Sequence, residues 1–133
     1  MVGFEIAITC LALNIFKEAR GEPIAGQQAV ALVTLNRVRE KGLDGDICKT
    51  VFEPGQFAWT ATDTANGVLL PGKRPDRRSD EWQQVYAVAI ESLTMRDFTK
   101  GATYFHEIKS RPSWVSSMQH VGRWGNHDFY KRP

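Results

Sequence analysis

A chain of 133 residues is long enough for one domain with one modest core, and it reads as a single domain over 1–133. With 42% apolar and 24% charged residues it is not a disordered chain, and a net charge of +2 is too small to argue for nucleic acid. The sign is uneven: residues 71–133 carry eleven Lys/Arg against seven Asp/Glu, so the second half would suit an anionic partner or simply stay soluble.

The first sixteen residues are apolar, but Glu5 interrupts them, no basic stretch precedes them, and Lys17 and Glu18 follow directly. They do not read as a secretory leader, and they are too short to cross a bilayer, so no stable membrane insertion is expected. They do predict a first helix over 4–19. Phe4, Ala7, Ile8, Leu11 and Ile15 form one stripe, and Ile6, Cys10, Leu13 and Phe16 cover much of the rest. A helix apolar on most sides is buried. Glu18 stacks one turn beyond Asn14 and two beyond Leu11, so it continues an inward-facing line.

Gly21 is a natural helix stop, and Pro23 suits the first turn of a second helix running to about Arg39. A short helix from Asp46 to Phe52 is closed by Pro54-Gly55. Residues 61–79 read as a loop with turn signals at Asn66-Gly67 and Pro71-Gly72, long enough to be a binding loop. Asp80 to about Arg96 predicts a helix capped by Ser79 or Asp80, with Trp82, Val85, Tyr86, Ala89 and Leu93 inward. A short strand over 101–106, a helical turn at 113–117, a tight turn within 120–127 and a last strand at 128–130 complete a mainly α (α+β) chain. Cys10 sits in the apolar helix, where a free thiol behaves as a small hydrophobe. A bridge to Cys48 is left open, since no dense cysteine framework asks for one.

The segment Glu18-Ala19-Arg20-Gly21-Glu22-Pro23 carries the chemistry. A glutamate in the last turn of a helix faces backbone carbonyls and partial burial, and both raise its pKa toward the range of a general acid. Arg20 would oppose this, and a plain helix-end ion pair is the competing reading. Glu22 precedes the proline, where a cap or first-turn acid keeps its charge. Two carboxyls pushed apart in pKa are the pattern of an acid beside a stabilising carboxylate; simple capping is the alternative for Glu22.

The three histidines, His106, His120 and His127, match no compact zinc spacing, and no metal site is expected. No nucleophile elbow accompanies Asp128, and no phosphate-binding glycine loop is present. Trp82 reads as core. Phe57 and Trp59 divide evenly between sugar-stacking aromatics and plugs of a small core. Arg74, Arg77 and Arg78 make a basic loop without the aromatic interleaving of a nucleic-acid module.

Taken together, these motifs resemble the cell wall hydrolase family typified by the spore cortex-lytic enzyme. The resemblance runs over nearly the whole chain. It is carried by 11–16 leading into Glu18–Pro23, then Gly26-Gln27, Val33 through Val38, Ile47-Cys48, Gly55-Gln56-Phe57 with Trp59, Gly101–Thr103 with Phe105-His106, Pro112 with Trp114, and Gly125-Asn126-His127 with Phe129-Tyr130. It implies a compact lysozyme-like helical body with a small antiparallel β element, acting on peptidoglycan glycan strands without a cofactor. It also implies a lytic transglycosylase with Glu18 as acid and base, and Glu22 as helper if water attacks instead. A muramidase and a non-catalytic peptidoglycan-binding module are the alternatives. Gln56, Phe57 and Trp59 are the first expected glycan contacts, followed by His106, Asn126 and His127. Tyr104 or Tyr130 is expected to orient Glu18. Such a module would be made in the cytoplasm and released, or be a processed domain; if phage-derived, it would reach the wall through a pore-forming partner.

Overall fold

The computed structural model describes residues 2–42 and 45–133. Helix α1 (Val2–Ala19) packs against α2 (Ile24–Glu40), and the two are tied by polar contacts as well as apolar ones. Asn14 is fully buried and donates Nδ2–H to Thr34 Oγ1 at 3.0 Å, and Gln27 Nε2 donates to Ala19 O at 3.2 Å. Satisfied polar groups of this kind cost little to bury and fix one alignment of the pair. The apolar core lies between Ile8, Leu11 and Ile15 of α1, Val30 and Val33 of α2, Val51 of α3 (Ile47–Phe52), and Val85 and Ala89 of α5 (Asp80–Ser92). Phe129 of the sheet closes it.

Cys10 and Cys48 are disulfide-bonded, joining α1 to α3. Cys10 is therefore not the free small hydrophobe expected of it. Pairwise spacing carries no sign of this; only the packing of α3 on α1 brings the two Cα atoms to 5.2 Å. A bridge across 38 residues restrains the unfolded chain by about 4 kcal/mol.

The 61–79 segment is more ordered than a loop. Helix α4 (Trp59–Asp63) runs into a two-stranded hairpin, β1 (Thr64–Ala65) with β2 (Val68–Leu69), turned at Asn66-Gly67 where both residues have positive φ. Ser79 caps α5 by accepting from Trp82 N, as expected, but the helix stops at Ser92. Ser92 Oγ donates back to Ala89 O, a competition with the helix ladder, and Leu93 is left 36% exposed rather than inward.

The C-terminal sheet has the order β3-β5-β4, all antiparallel, from β3 (Tyr104–Glu107), β4 (Gln119–Trp124) and β5 (His127–Lys131). A 3₁₀ turn over Ser113–Ser117 leads into it. Strand β4 escapes sequence reading because Val121 and Trp124 are its only large apolar side chains and it carries an irregularity between His120 and Gly122. Gly122 is required there, since a Cβ would sit 2.5 Å from the Trp124 indole. Among the described residues no helix is long and apolar enough to cross a membrane.

Candidate active site

The end of α1 opens into a cleft of about 680 Å³. Phe16 and Glu18 come from α1, Trp59 and Asp63 from α4, Lys73 to Asp76 from the following loop, and Glu107 and Asn126 from the sheet. Trp59 is held by a buried chain of donors: its Nε1–H reaches Asn14 Oδ1 at 2.8 Å, and Asn14 in turn holds Thr34. Lys17 Nζ donates to Asp63 Oδ2 at 2.7 Å and to Lys73 O at 2.8 Å, which fastens the loop to α1.

Glu18 is half-buried, and loss of hydration pushes its carboxyl up to about 7. Arg37 pulls in the opposite direction, while the charges of Glu107 and Glu22 add to the rise. The opposing cation is thus Arg37 of α2, not the neighbouring Arg20, whose guanidinium lies over the Phe16 ring at 4.7 Å. A group poised near 7 is in both protonation states at neutral pH, so it can give and retake a proton.

Glu22 is not a helix cap. Pro23 occupies the N-cap position without a side-chain cap bond, and Glu22 points to the sheet instead. Its Oε1 accepts from Asn126 N at 2.8 Å, and its Oε2 lies 3.1 Å from Nδ1 of His127. His127 is 1% exposed and packs edge-on to Phe105. Gly125, with φ +60, lets the turn approach: a Cβ would meet Glu22 Oε1 at 2.3 Å. On the other side Gly26 and Gly125 are so close that a Cβ on Gly26 would lie 3.1 Å from Gly125 Cα. Glu22 is therefore a strut between the α1–α2 junction and the β4–β5 turn.

The remaining expected contacts separate. Asn126 lines the Glu18 cleft, and Trp59 lines it while being only 8% exposed. Phe57 is 3% exposed and packs against Phe105, so it plugs the core. Gln56 and Tyr104 line a different cavity. Tyr104 Oη accepts from Arg132 Nη2 at 2.9 Å, and Tyr130 Oη lies 3.0 Å from His106 Nε2, so both tyrosines are engaged away from Glu18. The three histidines do not share one site: His106 and His120 both pack on the Tyr130 ring, His120 also meets Asp128 at 3.0 Å, and His127 meets Glu22. Glu107 and Arg37 were missed as neighbours of Glu18. Glu107 falls one residue past the expected strand, and only its pairing with His127 brings it beside the cleft.

A mostly helical α+β body with a small open antiparallel sheet and a polar cleft at a helix end is the frame of a lysozyme-like domain. The chain belongs to the Cell Wall Hydrolase family, whose model matches residues 21–130. It is 31% identical over 123 residues to the spore cortex-lytic enzyme of Halalkalibacterium halodurans, covering 92% of this chain and 34% of that protein. The spore cortex-lytic enzyme of Bacillus subtilis (strain 168) is 28% identical over 123 residues, covering 92% and 36%. This chain thus spans about a third of the length of these two curated relatives. Among solved structures it is similar to the catalytic domain of the Bacillus cereus SleB protein, with a TM-score of 0.74, 26% identity, and 96% and 91% of the two chains covered. The catalytic domain of the germination-specific lytic transglycosylase SleB from Bacillus anthracis gives a TM-score of 0.71 at 25% identity, over 94% and 93%.

Proposed function

We propose that this chain is a peptidoglycan lytic transglycosylase that uses Glu18 as its one acid and base. The observation that carries the reading is the Glu18 carboxyl, half-buried in a polar cleft and raised to about 7, while Glu22 is occupied by Asn126 and His127. The similarity to a catalytic domain described as a lytic transglycosylase supports it.

Protonated Glu18 gives its proton to the bridging oxygen of the β-1,4 bond between N-acetylmuramic acid and N-acetylglucosamine. The C1–O bond of the muramic ring breaks, and positive charge develops at C1. Glu18, now a carboxylate, takes the proton of that sugar's own 6-hydroxyl, and O6 bonds to C1. The product is a 1,6-anhydro end, no water is consumed, and Glu18 is protonated again. One carboxyl suffices, unlike the two of most glycosidases. Asn126 and the exposed edge of Trp59 are the nearest proposed sugar contacts; Glu107 adds negative charge on the sheet side of the cleft.

The Cys10–Cys48 bridge suits action in an oxidising compartment such as the wall. If the chain is phage-derived, passage to the wall through a pore-forming partner is part of the proposal, checked by whether cells lyse only when such a partner is co-expressed. The central experiment digests purified peptidoglycan and weighs the products. Anhydro muropeptides, one water lighter than the hydrolysed forms, are expected; reducing ends alone would turn the assignment to a muramidase, and intact strands would leave a binding module.

A further inference from the structure

The segment that carries Trp59 into the Glu18 cleft carries Gln56 elsewhere. Gln56 lines a second cavity of about 380 Å³ together with Gly55, Thr103, Tyr104 and five charged residues. Lys41 Nζ lies 2.6 Å from Glu53 Oε2, and Arg132 Nη1 lies 3.1 Å from Glu40 Oε2. The fifth charge, Arg37, has no ion-pair partner among the described residues. Its Nε donates to Thr103 O at 2.7 Å and its Nη1 to Gln56 O at 3.1 Å. Its guanidinium lies 4.6 Å over the Phe57 ring and 5.9 Å from that of Tyr104. Arg37 is therefore held rigid, its Nη2 makes no hydrogen bond among the described residues, and its charge is felt at Glu18 as well as at this cavity.

Such a cavity does not suit a bare glycan, which asks for neutral polar groups and open aromatic faces. It suits a ligand with charges of both signs. A planar, prepositioned guanidinium favours a carboxylate, and the flanking pairs offer both an acid and a base at the rim. The site also lies within reach of the cleft. Tyr104 of this cavity and Glu107 of the cleft are three residues apart on β3, roughly 10 Å at about 3.3 Å per residue. A peptide of about three residues spans that distance.

We propose that this second cavity is a subsite for the peptide stem of peptidoglycan, in which Arg37 receives a stem carboxylate while the Lys41–Glu53 and Arg132–Glu40 pairs frame the stem's remaining charges. The inference rests on the peptidoglycan reading of the Glu18 cleft and adds that the substrate class is the peptide-bearing strand. Gln56, expected from sequence at the glycan, becomes a stem contact.

The test compares kcat/KM on intact peptide-bearing strands with that on strands stripped of their peptides by an amidase. The wild type is expected to prefer the peptide-bearing strands. Gln56→Glu places a like charge against the stem carboxylate and is expected to cost at least about tenfold more on the peptide-bearing strands than on the stripped ones. Arg37→Gln should shift the ratio between the two substrates in the same direction, but Arg37 also packs on Phe57 and holds down the Glu18 carboxyl, so its loss common to both substrates is set aside and Gln56→Glu decides. Equal losses on both substrates, no loss, or a wild type that prefers stripped strands overturns the subsite. If the wild type cleaves neither substrate, the Glu18 reading has failed, and the subsite is judged alone by titrating the free stem tetrapeptide into the protein. Amide shifts at Gly55, Gln56 and Thr103 then sustain it, and their absence overturns it.

Discussion

Glu18 and Glu22 stand four residues apart and have opposite surroundings. Glu18 closes α1 where apolar packing strips its water and Arg37 alone opposes the cost, so its proton is held up to about 7. Glu22 leaves the helix at Gly21 and is met by a backbone N–H at 2.8 Å and a buried imidazole at 3.1 Å. Both carboxyls line the same cleft, but Glu18 makes no hydrogen bond among the described residues, whereas Glu22 joins two parts of the fold. The difference comes from what faces each side chain and not from the side chain itself.

The largest expected effect breaks that asymmetry at its chemical end. Glu18→Gln should lower kcat on peptidoglycan by about 10²–10⁴ without unfolding the protein, the usual scale for a lost general acid. Substantial activity in a folded Gln variant would remove Glu18 from the mechanism. The same substitution should show what burial costs. A carboxyl raised from 4.5 to about 7 holds its proton more tightly when folded, so its stabilising contribution is full below about 4.5 and lost as pH rises through about 7. Glu18→Gln should therefore gain up to about 3 kcal/mol over wild type between those pH values, at about 1.4 kcal/mol per pKa unit, read by urea melts at pH 4 and pH 8. A constant difference at both pH values would argue against a raised carboxyl.

A smaller effect separates the strut from the acid. Glu22→Ala strands Asn126 N–H and His127 and should cost about 1–3 kcal/mol of stability. Glu22→Gln keeps an acceptor for Asn126 and should retain more of both stability and kcat. If Gln and Ala are equally inactive while folded, Glu22 takes part in the chemistry and the contrast with Glu18 collapses. The smallest effect tunes Glu18 from across the cleft. Removing the Glu107 charge with Glu107→Gln relieves a repulsion, so the alkaline limb of the pH–rate profile should move down by a fraction of a pH unit. An upward move would mean that Glu107 does not face Glu18 as a charge.

Much of the helical body was legible. Apolar spacing found α1, α2 and α5, because their buried faces repeat at helical periods, and Ser79 announced the start of α5. The sheet was read less well. Strand β4 has few apolar residues to mark it, and its place comes from pairing with β5 and from the Trp124 ring lying across Gly122. The site divides in the same way. Glu18 stood out because its helix line ran inward. The capping alternative for Glu22 fails because its partners lie more than a hundred residues away, and the disulfide was left open because two isolated cysteines carry no geometry of their own.

What the sequence determined by itself was local: where helices begin and stop, which stripe is buried, and that a carboxyl sits at a helix end beside a glycine. The family resemblance was legible at that level too. Tertiary structure decided everything that depends on who faces whom. It set Arg37 rather than Arg20 against Glu18, tied Glu22 to Asn126 and His127, sent Phe57 inward, and placed Gln56 in a cavity apart from Trp59. Helical periodicity is written in neighbouring residues, whereas desolvation and charge pairing act through space between segments that the chain order keeps apart.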